Sequence, residues 1–418
     1  MKKILMIGGG VSGQAVMALA EALQISCRIV SDSDDIADMN GSFDGVDLVV
    51  VSPGVLPTSR LYNEAVKRNI EVISELELGI RYFPGRLLAV TGTNGKTTTV
   101  ELTGFLLNKL DIPAIAAGNI GLPLSAVSAA ILRGETADGK NLTAVLEVSS
   151  FQLEHTSNLP AKGAVLLNVE SDHINRYPGG LAEYRAVKER IFKDVAPENR
   201  FYGISMSKKN SCGIFALQDN VLYANGQVLL DLKQTAFAAE HNQENLMAAL
   251  SLVSCLTDPG KALELLKNAL CEFKTGDHRI SLVAEKNGVK YIDDSKATNP
   301  AAVIAAVKSL SAAPAGNILL IAGGLDKDMD FSALAALSKY IKKVIVYGRC
   351  GSCVAEAFAG KNDVFDAGND FALAVTEAHK AAGYGDIVLL SPAAASMDMF
   401  KDYKERGNCF AQLVKELL

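Results

Sequence analysis

The chain has no apolar run long enough to cross a bilayer, which excludes a helical membrane span. It also has no basic excess. Among 418 residues, 41 Lys and Arg face 47 Asp and Glu, for a formal charge of −6. That balance argues against nucleic acid as the main partner, while leaving room for a local basic pocket around phosphates. Cysteine is sparse and scattered, with seven in all, which suits a reducing cytoplasm as the place of work. Cys350-Gly-Ser-Cys353 has C-x-x-C spacing, but no second pair completes a metal site. The N-terminal apolar run is too short for a signal peptide and leads into glycines that look structural. Short-period repeats and low-complexity tracts are lacking. What remains is an ordinary globular composition, 49% hydrophobic and 21% charged, with ample core material. Its length suggests two to four domains.

The most informative stretch is Ala89-Val-Thr-Gly-Thr-Asn-Gly-Lys-Thr-Thr-Thr99. A hydrophobic strand, Arg86 to Val90, runs into a glycine-rich turn, and Lys96 and Thr97 open a helix rich in Leu and Val. The turn Gly92-Thr93-Asn94-Gly95 offers converging N–H groups to phosphate oxygens, and the helix N-terminus adds a positive dipole end. Lys96 can reach the outer phosphates and Thr97 offers a hydroxyl to Mg²⁺, with Thr98 beside it. This predicts binding of a nucleoside triphosphate. Position 90 is Val where the common G-x-x-x-x-G-K spacing would place a first glycine.

Strand, turn and helix recur along the chain. Residues 3–7 form an apolar run before Gly8-Gly-Gly-Val-Ser-Gly13 and a helical stretch from Gln14 to Leu23. Further strands run from Cys27 to Val30, before Asp32 and Ser33, and from Asp47 to Val51, before Ser52-Pro53-Gly54. Gly8, Gly10 and Gly13 fit G-x-G-x-x-G, a pattern any nucleotide diphosphate group can use, and Asp32 lies where a ribose-binding acid would be. After Phe83-Pro-Gly-Arg86, strands are expected at Leu142–Val148 and Gly163–Asn168, helices at Leu181–Phe192 and His241–Leu256, and short strands near 200–230. The alternation predicts a largely parallel sheet. A third segment opens near Thr275-Gly276, with a hairpin around Asn287-Gly288 and buried strands at Ile318–Ala322, Val344–Val346 and Ile387–Leu390. The expected fold is therefore α/β, with three domains in series at 1–85, 86–276 and 277–418: a Rossmann-like domain, a P-loop ATPase-like domain and a second Rossmann-like domain.

Several polar loops follow these strands. Glu147, after a strand and facing the glycine-rich turn, is placed to hold Mg²⁺ on a triphosphate. Asp172, His173 and Arg176 cluster after the next strand, and Lys188 lies within the following helix, where a solvated charge is the ordinary expectation. His241-Asn-Gln-Glu-Asn245 opens another helix, where Asn can act as a simple cap. Arg279 could stack on a base or contact phosphate. Lys296 and Thr298 precede a helix start at Pro300, Gly323-Gly-Leu-Asp-Lys327 follows a second strand, and Ser391-Pro-Ala-Ala-Ala-Ser396 follows a third. Together they offer donors suited to a small carboxylate.

The segments Val90–Thr98, His241-Asn-x-x-Asn245, His278-Arg279 and Asp294-Ser-Lys-Ala-Thr-Asn299 resemble the Mur ligases over nearly the whole chain and in the same order. These are ATP-dependent amide-bond ligases of peptidoglycan precursor synthesis. Leu146–Glu154, Asp294–Asn299 and Leu390–Phe400 with Arg406-Gly407 look like the branch that adds D-glutamate. Glu240 departs from the Gly usual in the family before His241. The resemblance implies that Lys96 and Thr97 hold the phosphates and Mg²⁺, with Glu147 on the same metal. It implies a second Mg²⁺ held by His173 and Lys188, the lysine carbamylated so that an anionic oxygen meets the ion. It places Asn242, Asn245, Arg279 and Asp294 around the nucleotide, and Lys296, Thr298, Lys327, Ser396 and Tyr403 around D-glutamate. Gly10, Val11, Ser12, Gly13, Asp32, Ser33, Ser52, Pro53, Gly54 and Asn119 line a UDP-sugar site. The implied reaction activates the carboxylate of UDP-N-acetylmuramoyl-L-alanine as an acyl phosphate, which the amine of D-glutamate attacks. A monomer without nucleic-acid or membrane partners is the expectation. Two rivals explain less. A Rossmann dehydrogenase leaves Lys96, Glu147 and the third segment without roles, and a regulatory nucleotide binder leaves the polar loops of the third segment unused.

Overall fold

The computed structural model describes residues 3–31, 42–136, 139–172, 176–310, 316–325 and 329–417. The chain separates into two compact units, Met1–Val169 with Gly179–Phe273, and Glu170–Pro178 with Lys274–Leu418.

The first unit begins with a parallel sheet in the spatial order Ser26–Val30, Lys3–Ile7, Leu48–Val51, Glu71–Ser74. Side chains alternate across a strand, so Ile4, Met6, Leu48 and Val50 pack with Val16 and Leu19 of the helix Val11–Ala22. Leu5, Ile7, Val49 and Val51 face the other way, onto Leu61 and Ala65 of the helix Arg60–Lys67. Both faces are covered, which is why these strands read as continuous apolar runs.

A second parallel sheet in the same unit runs Ala114–Gly118, Thr143–Glu147, Arg86–Thr91, Gly163–Leu166, Arg200–Tyr202. The strand that carries the glycine-rich turn is its middle member. Leu88, Val90, Val145 and Val165 pack with Leu106 of the helix Lys96–Lys109 and Leu246 of the helix Glu240–Ser254. The short strands near 200–230 divide. Arg200–Tyr202 closes the parallel sheet, while Ser211–Cys212, Phe215–Gln218, Val221–Ala224 and Gln227–Asp231 form a separate antiparallel one. Its turns include Asn220 and Asn225 at positive φ, conformations that Asn tolerates well. The helix expected at Leu181–Phe192 is α-helical from Gly180 to Glu189 and ends in a 3₁₀ turn, Arg190–Phe192.

The second unit holds one six-stranded sheet: Ser281–Lys286, Val289–Asp293, Ile387–Ala393, Ile318–Gly323, Ile341–Tyr347, Asp363–Asp366. Only the first pair is antiparallel. Its hairpin turns on Asn287 at φ 53° and Gly288 at φ 75°, the left-handed pair that a two-residue turn needs to match strand twist. Helices cover both faces, burying Val303 and Val307 on one and Phe371 and Phe410 on the other. The fold class is α/β, as the sequence indicates.

Candidate active site

The glycine-rich turn leaves the C-terminal end of the central strand Arg86–Thr91. Gly92 has φ 155° and Gly95 φ 83°, and Gly95 serves as the left-handed N-cap of the helix Lys96–Lys109, which has no side-chain cap. The first N–H groups of that helix therefore face the turn rather than a side-chain acceptor, an arrangement suited to an anion. Lys96 Nζ donates to the carbonyls of Gly92 at 2.9 Å and Thr93 at 2.8 Å. Thr93 N donates to Asn168 O, and Asn94 N to Asn168 Oδ1 at 2.8 Å, so the next strand's end braces the turn. Asn168 Nδ2 also reaches Glu244 Oε2 at 3.3 Å. Neither Asn168 nor Glu244 stood out in the sequence, where Asn168 is only the last residue of an expected strand.

Glu147 ends the strand next to the central one, and its carboxylate is buried. Oε2 accepts the Thr97 hydroxyl at 2.7 Å and Oε1 accepts Asn119 Nδ2 at 3.0 Å. A hydroxyl and a carboxylate this close, at the mouth of the turn, are the hard oxygen donors that Mg²⁺ takes alongside phosphate oxygens. The structure thus brings Asn119 to the phosphate turn. The described residues hold no group of three or more His, Cys, Asp and Glu fit for a metal.

Lys188 is not solvated. It is 1% exposed, its ammonium donates to Gly92 O at 2.9 Å and lies 4.4 Å from the centre of the Tyr184 ring. Lys96 and Lys188 thus share one carbonyl of the turn. His173 lies outside the described residues, as do Asp32, Ser33 and Lys327.

The helix with His241 starts at Glu240, which is exposed, behind Ala239, and no side chain caps it. The capping role for Asn242 is therefore corrected: its Nδ2 donates backward to Ala236 O at 2.9 Å. Asn245 Nδ2 donates to Asn242 Oδ1 at 3.2 Å and Asn245 Oδ1 accepts the Thr99 hydroxyl at 3.3 Å, which draws this pair to the phosphate helix. In the first sheet a cavity of about 370 Å³ opens at the strand ends, lined by Gly8, Ser31, Ser52, Gly54 and Val55 among others. Gly13 packs against Gly8: an added Cβ would lie 2.3 Å from Gly8 O. Val11 and Ser12 open the adjoining helix.

In the second unit, Asp294 is buried and accepts the Ser391 hydroxyl at 2.7 Å. Burial pushes its carboxyl up to about 7, against the opposing pull of the Ser391 hydroxyl, the Ile280 N–H and the Arg279 charge. His278 Nδ1 and Asp293 Oδ2 are 2.6 Å apart. Lys296 Nζ sits 3.9 Å from the centre of the Tyr403 ring, and Lys296 N donates to His278 O. Thr298 lies beside Asn299, whose Oδ1 caps the helix Pro300–Leu310 through Ala302 N. Ser396 is buried at the end of the loop after Ile387–Ala393. His278, Ile280 and Ala393 all have φ between 49° and 63°. Left-handed backbone costs most for a β-branched residue such as Ile, and such strain concentrates at ligand sites.

Family comparison matches residues 90–215 to the Mur ligase middle domain and residues 278–394 to the Mur ligase glutamate ligase domain. A UDP-N-acetylmuramoylalanine--D-glutamate ligase from Thermoanaerobacter pseudethanolicus is 34% identical over 100% of this chain and 98% of its own. One from Syntrophus aciditrophicus is 38% identical over 88% of this chain and 83% of its own. Among solved structures, the UDP-N-acetylmuramate-alanine ligase MurC from Thermotoga maritima aligns with TM-score 0.62 at 17% identity, covering 100% of both chains. MurF ligase from Thermotoga maritima, solved with ADP, aligns with TM-score 0.59 at 17% identity over 91% of this chain and 92% of that one. At such identity these two speak for the fold.

Proposed function

This chain belongs to the Mur ligase family, and we propose that it joins D-glutamate to UDP-N-acetylmuramoyl-L-alanine with conversion of ATP to ADP and phosphate. The observation that carries this reading is the 34% identity along the whole chain to a ligase named for those two substrates. The geometry of the phosphate turn supports its ATP-dependent half.

In this reading ATP phosphates lie along Gly92–Thr98, with Lys96 turning from the Gly92 and Thr93 carbonyls to the transferring phosphoryl group. The alanine carboxylate attacks the γ-phosphorus, ADP leaves, and the resulting acyl phosphate is attacked by the amine of D-glutamate with release of phosphate. The chain's main contribution is to align these substrates away from water and to stabilise charge that develops on the phosphoryl oxygens. Thr97 and Glu147 would hold Mg²⁺, which when bound neutralises and orients the phosphates. His173 and Lys188 would hold a second ion. An ammonium cannot ligate a cation, so that role requires the Lys188 carbamate. A carbamate nitrogen keeps one N–H, so the contact to Gly92 O survives the modification. Asn242, Asn245, Arg279 and Asp294 would surround the nucleotide. Lys296, Thr298, Lys327, Ser396 and Tyr403 would take D-glutamate, and the cavity at Gly8, Ser52 and Gly54 would take the UDP-sugar. The division at 1–85, 86–276 and 277–418 and a cytoplasmic location belong to the same proposal. No helix among the described residues is long and apolar enough to cross a membrane.

The test is phosphate release from ATP and Mg²⁺ with UDP-N-acetylmuramoyl-L-alanine against a panel of amino acids. D-glutamate alone should drive stoichiometric release. Turnover with L-lysine or meso-diaminopimelate but not D-glutamate would overturn the choice of amino acid and leave the family intact.

A further inference from the structure

Arg406 is 0% exposed, in the first turn of the helix Tyr403–Leu417. Its Nε donates to Ser295 Oγ at 2.9 Å, Nη2 to Ser295 O at 2.8 Å, and Nη1 to Ala394 O at 3.1 Å and the Tyr347 hydroxyl at 3.4 Å. The Ser295 hydroxyl donates in turn to Tyr403 O at 2.8 Å. Gly324 completes the enclosure: an added Cβ would stand 3.2 Å from Nη1 and 2.2 Å from Ala395 O. Every partner is neutral, and among the described residues no carboxylate pairs with this guanidinium. A buried cation without an anion is costly, and its persistence calls for a reason beyond packing.

Its position supplies one. Ser295 directly precedes Lys296, and Ala394 lies two residues before Ser396. One rigid fork therefore ties together the two strand-end loops that carry Lys296 and Ser396. We propose that Arg406 is a positioning residue for the amino-acid substrate: it fixes those loops relative to one another, and its positive charge, which no described carboxylate contacts directly, favours a dicarboxylate over a monocarboxylate. This rests on the assignment of these loops to D-glutamate. The low-dielectric surroundings that make the unpaired charge costly also let its field reach the site with little screening.

The experiment compares wild type, Arg406→Met, Arg406→Lys and Ser295→Ala for kcat and for KM toward each substrate, with D-glutamine as a competing neutral analogue. Arg406→Met should raise the D-glutamate KM about tenfold or more, the loss expected for a charge-assisted contact. The KM for ATP should rise several times less, and that for the UDP-sugar should hold within about twofold, since charge-dependent loss falls on the amino acid. The preference for D-glutamate over D-glutamine should collapse in Arg406→Met and persist in Arg406→Lys, which keeps the charge and loses the fork. Ser295→Ala, which removes the Nε acceptor, should shift the D-glutamate KM in the same direction by a smaller factor. A folded Arg406→Met with wild-type D-glutamate KM and selectivity would overturn the inference. If that variant fails to fold, an unchanged D-glutamate KM in both Arg406→Lys and Ser295→Ala would do so. Absence of D-glutamate turnover in the wild type would instead remove the functional reading on which it rests.

Discussion

Lys188 shows how much a single side chain can say once its surroundings are known. On the sequence it is one charge among many on a helix; in the structure it is buried, bonded to Gly92 O and set against Tyr184. A buried lysine costs several kcal/mol unless its head group is engaged, so it is retained for what that head group does. Lys188→Ala should lose most ligation activity, on the order of a hundredfold or more, consistent with loss of transition-state charge stabilisation. If the working species is the carbamate, acetate or formate should restore part of the activity to Lys188→Ala by supplying the missing oxygen ligand. No recovery over a wide range of either salt, with a folded variant, would leave the lysine without that modification.

At the scale of elements, the phosphate turn depends on one backbone conformation. Gly95 sits at φ 83°, and a Cβ there would stand 2.2 Å from Asn245 Oδ1, which bonds Thr99. Gly95→Ala should therefore cost roughly 1–3 kcal/mol in stability through strain. It should also weaken ATP binding at least about tenfold, because the displaced turn no longer presents its N–H groups. Gly104 lies in the same helix with open space around its missing Cβ, so Gly104→Ala should stabilise by about 0.5–1 kcal/mol and leave ATP binding alone. Calorimetric ATP titration and thermal melting of the two variants check the contrast. Equal behaviour would show that the turn tolerates a side chain. This element was legible because its signals are local: apolar strand, glycines, Lys-Thr, helix. The helix Glu240–Ser254 was legible to within one residue at its start, but the role of Asn242 was not, because Ala239 holds the cap position without a side-chain bond and Asn242 turns to Ala236. The separate antiparallel sheet of 211–231 was hidden for a similar reason, since short strands do not announce which sheet they join. Arg406 was illegible as a clamp because Ser295 and Tyr347 lie 111 and 59 residues away in sequence.

For the molecule as a whole, buried carboxyls link stability to pH. Glu75 opens the helix Glu75–Tyr82 and is 1% exposed. Its Oε1 accepts Ser125 N at 2.8 Å, and its Oε2 is buried with no partner among the described residues. Burial raises its carboxyl to about 7, against the pull of the Ser125 bonds, and Asp294 is raised to about 7 in the same way. The sign follows from the unfolded chain, where both groups ionise near 4. Below that pH the neutral groups cost the folded state nothing by ionisation. As pH rises toward 7 the unfolded chain gains charge that the folded state resists, so this contribution is lost and stays lost above 7. Glu75→Gln keeps an acceptor for Ser125 N and removes the ionisation. It should stabilise the chain more at pH 8 than at pH 5.5, by about 1–2 kcal/mol, the difference expected from a shift of this size between those pH values. The comparison of mutant with wild type at each pH cancels the other titrating groups, so urea or thermal melts at the two pH values suffice. An equal effect at both would mean that Glu75 ionises in the folded protein as it does in the unfolded chain, and that water or rearrangement relieves its burial.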